Sequence, residues 1–269
     1  KIAASVISAE RITTAGGVTA MLNDETKRKL RLMNIGEFIS AVDLQEDDPQ
    51  LLALPFSERF QMAVDHVYQD KYNMKSERLI KQAKLRFPAA DIHDIYYGEK
   101  RRLNRNPMGE IATCQYIEES TSLIFQGFSS TGKTWLGCAY AKEACRHHNR
   151  TRYIRLPDLL SEFHEKKLGK GGKEKLLGKY AAYKVLVIDE WLISDLTAED
   201  IDFLFELSEL RYDSTSTIFC TLYKQEDWLM RLGGGARAES IIERYSHNVI
   251  RIEIGDENMR DIFGSRKTT

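Results

Sequence analysis

Gly127-Phe128-Ser129-Ser130-Thr131-Gly132-Lys133-Thr134 fills every place of the pattern G-x-x-x-x-G-K-[ST], a turn that wraps a phosphate and hands it to a helix N-terminus. Its flanks suit that role. Ser122-Leu123-Ile124-Phe125-Gln126 is a short apolar run of strand character, and residues 135–148 have helical periodicity. In such a turn backbone N–H groups and the positive end of the helix hold the phosphate oxygens. Gly127 and Gly132 permit backbone angles and a close approach that a side chain forbids. The pattern assigns nucleotide binding to Gly127, Ser129, Ser130, Thr131, Gly132, Lys133, Thr134 and Trp135. Lys133 reaches the β- and γ-phosphates as a mobile point charge, and the Thr134 hydroxyl completes a Mg2+ shell, so ATP and Mg2+ are the expected ligands.

A second stretch supplies the other half of such a site. Val185-Leu186-Val187-Ile188-Asp189-Glu190 is an apolar strand ending in paired acids, 55 residues after Thr134. Asp189 is expected to bind Mg2+ opposite Thr134. Glu190, one residue later, points to the other side and is placed to polarise the attacking water. Between and beyond these stretches strands and helices alternate: strands over 152–156, 185–189, 216–221 and 248–253, helices over 157–167, 197–211 and 239–246. Thr197 with Asp200 has the spacing of a capping pair. Helices between successive strands force crossovers, so the sheet should be largely parallel and covered on both faces. Residues 166–179, rich in Gly and Lys, read as a mobile loop.

The N-terminal part reads as helical. One helix is expected over 27–42, and a longer one capped by Ser57 ends at Pro88, with Met62, Val64, Val67 and Tyr68 toward a core. A linker follows over 89–104, then Asn106-Pro107 as N-cap and first helical position. The join between domains is therefore expected near residue 89. Residues 1–24 read as a leader or expression remnant, residues 25–88 as a helical domain and residues 89–269 as the nucleotide-binding domain.

Composition narrows the class. The 269 residues are 42% hydrophobic and 29% charged, as in a soluble globular protein. No apolar run approaches the roughly 18 residues a membrane span requires. Cys114, Cys138, Cys145 and Cys220 show no metal-ligand spacing and read as core thiols of a cytoplasmic protein. The net charge of -1 hides an uneven distribution. Residues 71–105 carry ten Lys/Arg against four Asp/Glu, and residues 142–184 twelve against five, whereas residues 189–213 hold nine acids and one Arg. That asymmetry leaves room for a basic surface facing an anionic partner.

A P-loop ATPase also needs a γ-phosphate sensor and, often, an arginine from a neighbouring subunit. Thr221, at the end of a strand expected between those ending in Gln126 and Asp189, is the sensor candidate. Arg244, in Ile241-Ile242-Glu243-Arg244-Tyr245, is the arginine-finger candidate; its competing reading is an ion pair with Glu243 or Glu239.

With these residues in view, the chain resembles the IstB-like insertion-sequence helper ATPases, relatives of the DnaC helicase loaders and DnaA initiators within the AAA+ group. The resemblance covers residues 25–262. It rests on Arg86-Phe87-Pro88-Ala89, the phosphate loop, the strand from Val185 to its acids and Trp191, Ser216-Thr217-Ile218 running to Trp228, Ile241 to Tyr245, His247-Asn248 and Arg251-Ile252. It implies a small all-α N-terminal domain followed by an AAA+ P-loop NTPase domain whose parallel five-stranded sheet, flanked by helices, has the order 5-1-4-3-2. It also implies ATP-dependent self-assembly on double-stranded DNA and communication with a transposase. Lys133, Thr134, Asp189, Glu190 and Arg244 inherit the roles given above. Two departures stand out: Leu222 follows Thr221 where the family commonly has Asn or Gln, and little chain follows Glu253. A helical lid with a second arginine is therefore expected to be absent, Arg260 being a faint substitute.

The leading expectation is an ATPase that forms a homo-oligomer with ATP between subunits, polymerises on duplex DNA largely without regard to sequence, and prepares it for a transposase. DNA phosphates are expected at Lys166, Lys167, Lys170, Lys173 and Lys175 and at a basic tip of Lys81, Lys84 and Arg86. A solvated charged face is the plainer account of those lysines. A DnaC-like helicase loader shares the core and is the alternative. A small-molecule P-loop kinase is disfavoured by the Asp189-Glu190 pair.

Overall fold

The computed structural model describes residues 22–264; the leader expected over 1–24 lies, as far as residue 21, outside the described residues. The chain divides into two compact units, the first ending at Met74 and the second beginning at Lys75.

The first unit is helical. Helix α1 (Asp24–Leu32) starts at an Asn23 cap whose side chain accepts from Thr26 N at 2.8 Å. It is followed by α2 (Glu37–Glu46), the short α3 (Pro49–Leu52) and the start of α4 (Phe56–Ala83). The single helix expected over 27–42 is thus two. Asn34 adopts φ +56°, a left-handed conformation that ends a helix and that Asn tolerates better than most residues. Leu30, Ile39, Ala41, Val42, Ala63 and Val67 are buried, whereas Met62, Val64 and Tyr68, expected inside, are exposed. The reason is angular: Ala63 and Val67 are four apart on one helix face, and the other three flank it.

Helix α4 runs past the division and ends where Lys84 turns left-handed at φ +56°, ahead of Pro88. Its last turns supply Leu79 and Ala83, with Leu85, to the same hydrophobic core as Met108, Ile111 and Leu123. The second unit therefore begins before the join expected near residue 89. Helix α5 (Arg105–Ala112) is capped by Asn104, whose side chain accepts from Asn106 N at 3.1 Å, so the cap falls two residues before the expected Asn106. Cys114, at φ +62°, reverses the chain into α6 (Gln115–Glu118).

Then come β1 (Ser122–Gln126), α7 (Lys133–Arg146), β2 (Thr151–Arg155), α8 (Leu156–Lys166), α9 (Gly172–Ala181), β3 (Val185–Trp191), α10 (Ala198–Arg211), β4 (Ser216–Thr221), α11 (Trp228–Arg231), α12 (Gly235–Arg244), β5 (Val249–Glu253) and α13 (Met259–Gly264). The strands pair in parallel in the order β2-β3-β4-β1-β5, which is 5-1-4-3-2 read from the other edge. Alternate strand residues feed two cores. Leu123, Phe125, Val185, Val187, Ile218 and Cys220 face one side, and Ile124, Leu186, Ile188 and Phe219 the other. That is why these strands are apolar throughout rather than alternating.

The Gly/Lys segment expected as a mobile loop is mostly α9. Leu176, Leu177 and Tyr180 bury one face of it, and this burial holds a helix that the glycines alone disfavour. The Thr197/Asp200 pair is a true capping box opening α10. All four cysteines are buried and unpaired by disulfides. No helix among the described residues is long and apolar enough to cross a membrane.

Candidate active site

The parallel sheet brings the C-terminal tips of β1, β3 and β4 side by side, at the edge where α/β sheets bind ligands. Between β1 and α7 the chain makes its phosphate turn. Gly132 adopts φ +92° at the N-cap of α7. A Cβ on Gly127 would press on Thr131 Oγ1 at 3.0 Å and Gly255 O at 3.3 Å, so Gly132 is favoured by conformation and Gly127 by space. Thr131 Oγ1 donates to Phe128 O at 2.9 Å. Lys133 Nζ donates to Gly127 O at 2.8 Å and Phe128 O at 2.6 Å. Burial pushes the Lys133 ammonium below its usual pKa, against the opposing pull of Cys220 and Asp189.

The loop is tied from outside at two points. The buried Arg101 donates from Nη1 to Tyr96 O at 2.7 Å and from Nη2 to Thr131 O at 3.0 Å, and it forms an antiparallel bridge with Gly255. Met259 N donates to Ser130 O at 2.8 Å. In the sequence Arg101 stands in the linker over 89–104. Only its position in a basic triplet was visible, and its contact is thirty residues away along the chain.

Opposite the loop, Asp189 is buried at the tip of β3. Thr134 Oγ1 lies 3.0 Å from Asp189 Oδ1 and 2.9 Å from Oδ2. The Tyr153 hydroxyl of β2 donates to Oδ2 at 2.7 Å; burial first, and then this bond to a carboxylate, push the phenol pKa up. The hydroxyl and the buried carboxylate are hard oxygen donors of the kind Mg2+ takes alongside phosphate oxygens and water. No cluster of three or more His, Cys, Asp or Glu among the described residues could hold a metal unaided. The hydroxyl and carboxylate fit the protein's share of a shell whose other ligands are phosphate oxygens and water.

After Asp189 the strand breaks register with a bulge between Ile188 and Trp191. Glu190 sits there at φ +56°, a backbone conformation that costs a non-glycine residue on the order of 1–3 kcal/mol and is found at functional sites. Its carboxylate is 3.5 Å from Arg86 Nη1 and 3.5 Å from Arg155 Nη1. Arg86 was expected among the DNA contacts. Its guanidinium instead faces the site, 3.9 Å from Asp189 Oδ2.

Other expected residues are engaged with partners inside the protein. Thr221 ends β4 beside β1, as the topology required, but its Oγ1 donates to Trp191 O at 3.1 Å and accepts from Tyr223 N at 3.1 Å. The hydroxyl thus ties the ends of β3 and β4 together. Arg244 is paired with Glu209 of α10, not with Glu243 or Glu239, and lies over the Phe205 ring at 5.1 Å. Three of the five loop lysines meet carboxylates: Lys166 with Glu162, Lys167 with Glu199 and Lys173 with Glu206. Lys170, Lys175, Lys81 and Lys84 are exposed. The basic block around residues 166–179 and the acidic block of α10 thus partly neutralise each other.

The sequence profile described as "IstB-like ATP binding protein" matches residues 26–266, a range that takes in the phosphate turn and the acid pair. The chain belongs to this family. It is 29% identical over 198 residues to the insertion sequence IS1162 ATP-binding protein of Pseudomonas fluorescens, covering 74% of this chain and 85% of that one. It is 25% identical over 240 residues to the insertion sequence ATP-binding protein y4uH of Sinorhizobium fredii, covering 89% and 96%. Among solved structures the DnaC helicase loader superposes with a TM-score of 0.52 at 22% identity, over 63% of this chain and 98% of that chain. The replication initiator DnaA bound to AMPPCP and single-stranded DNA gives 0.52 at 19% identity, over 64% of this IstB-like chain and 52% of the DnaA chain. At such identities these likenesses establish the AAA+ fold.

Proposed function

We propose that this IstB-like protein is a Mg2+-dependent ATPase that assembles on duplex DNA and assists a transposase. The observation that carries the hydrolytic part is the convergence of Thr134 and Asp189 within 3.0 Å, with Glu190 next along the same strand tip. Thr134 and Asp189 would hold the metal, which supplies charge neutralisation at the triphosphate when bound. Lys133 exchanges its two loop carbonyls for phosphate oxygens, which are the stronger partners for an ammonium. Glu190 orients the attacking water and takes its proton. Arg244 of a neighbouring copy stabilises the charge that develops on the γ-phosphate.

DNA contact is assigned to the exposed residues Lys81, Lys84, Lys170 and Lys175. Each lysine that meets a phosphate adds about −0.9 to the slope of log affinity against log salt, whatever the sequence. The relatives' names tie them to insertion sequences, which favours the transposition role over a helicase loader.

The test is sizing by sedimentation velocity with ATP alone, with a random duplex and with the matching single strand. Growth that requires the duplex supports the proposal; growth on single strands alone favours the loader. In parallel Glu190→Gln should retain ATP and stay assembled on duplex, and normal turnover in that variant would remove Glu190 from the base role.

A further inference from the structure

Arg86 lies outside the phosphate loop and the strand tips, just after α4, yet its side chain reaches both site acids. Nη1 is 3.5 Å from Glu190 Oε1 and 3.9 Å from Asp189 Oδ2. The Tyr153 hydroxyl beside it, with the neighbouring Asp189 and Glu190 charges, keeps the guanidinium pKa above the usual range. The other oxygen of Glu190, Oε2, faces Arg155 Nη1 at 3.5 Å. Arg155 is itself anchored by Asp158 at 2.6 and 2.8 Å. The two carboxylate oxygens of Glu190 are therefore held from different elements, one by β2 and one by the segment after α4.

A general base works only when its oxygen is held in line with the water it deprotonates, and small misplacements cost large factors in rate. Glutamate has three side-chain torsions and Glu190 is only partly buried, so packing alone does not fix its carboxylate. Two guanidinium groups on separate oxygens do. We propose that Arg86 is a positioning residue for ATP hydrolysis: it fixes the Glu190 carboxylate opposite Arg155, so that turnover depends on it while ATP binding does not. This rests on the reading of Glu190 as the base. It also takes Arg86 out of the DNA-contact set, since a guanidinium engaged with the site acids does not meet a phosphate on the DNA.

The experiment compares Arg86→Gln, Arg86→Lys and Glu190→Gln in the full chain with duplex DNA present. It measures affinity for AMPPCP by calorimetry and kcat and KM by phosphate release. Arg86→Gln, which shortens the side chain and removes its charge, should hold AMPPCP within about threefold of the parent. Its kcat should fall about 30- to 100-fold, a typical loss for a displaced general base. Arg86→Lys should recover part of kcat, since an ammonium can pair with one carboxylate oxygen but lacks the guanidinium fork. Unchanged kcat in Arg86→Gln overturns the proposal. So does a loss confined to KM and AMPPCP affinity, or loss of AMPPCP binding in both Arg86 variants. If Glu190→Gln turns over like the parent, the base reading fails instead. If Glu190→Gln is inactive while Arg86→Gln is normal, only the role of Arg86 falls.

Discussion

If Arg244 serves a neighbouring subunit, it must first leave Glu209, and the structure sets the size of that obstacle. The pair joins α12 to α10, with side chains 18% and 45% exposed. With its glutamate nearly half exposed, the pair contributes about 0.5–1 kcal/mol once solvent screening is counted, not the several kcal/mol of a fully buried one. Glu209→Gln keeps the shape and removes the competing charge, while the Phe205 contact and the bond from Nη1 to Ser240 O at 2.6 Å remain. Each ATP-bridged contact between subunits should then tighten by that amount, which is about two- to fivefold in the dissociation constant. Sedimentation velocity across a protein titration with ATP would read this as a two- to fivefold fall in the midpoint of assembly. In an Arg244→Ala background the same substitution should give no further gain, because the group it releases is gone. An unmoved or raised midpoint, or an equal gain in the Arg244→Ala background, would refute the idea that Glu209 holds the arginine in reserve.

Two further expectations concern stability. Arg211 is buried and donates to Tyr180 O, Tyr183 O, Ser216 O and Thr217 Oγ1, with burial pushing its pKa down to about 10. Arg211→Met leaves two buried carbonyls and one partly buried carbonyl without this donor, at about 1–3 kcal/mol for each buried one, and partly offsets that by no longer burying a guanidinium. A net loss of about 3 kcal/mol is expected in urea melts, and less than about 1 kcal/mol would mean that water replaces it. Glu162 is pushed up by burial but held down, at about 2, by hydrogen bonds from Lys166, Lys179 and Tyr180. A depressed acid stabilises the fold above its unfolded value near 4.5 and loses that contribution as pH falls toward 2. Glu162→Gln should therefore flatten the stability profile between those limits; an unchanged acid slope in thermal melts would contradict the assignment.

What the sequence disclosed was local. The phosphate turn, the apolar strand with its two acids and the Thr197/Asp200 box each declare themselves within a few residues, because glycine conformation, capping geometry and strand burial act at short range. Parallel pairing followed from the alternation of strands and helices. What stayed hidden was carried by long-range contacts. Arg86 reaches Glu190 across 104 residues, and in the sequence it is one of several cations near a helix end. The opposed charge blocks read as a basic surface until α9 and α10 set Lys173 against Glu206. The Gly/Lys segment misled for a related reason. Leu176, Leu177 and Tyr180 decide its helicity, and their weight is felt only once a core exists to receive them.

The phosphate loop is moored at Thr131 by Arg101 and at Ser130 by Met259, and the segments that hold it meet again where the rings of Tyr96 and Phe263 stand edge to face at 5.8 Å. The turn is therefore tied to two stretches of chain more than 150 residues apart. The loop, the segment around Tyr96 and the segment around Phe263 thus form one closed circuit of contacts, in which the turn is braced from both of its outer neighbours.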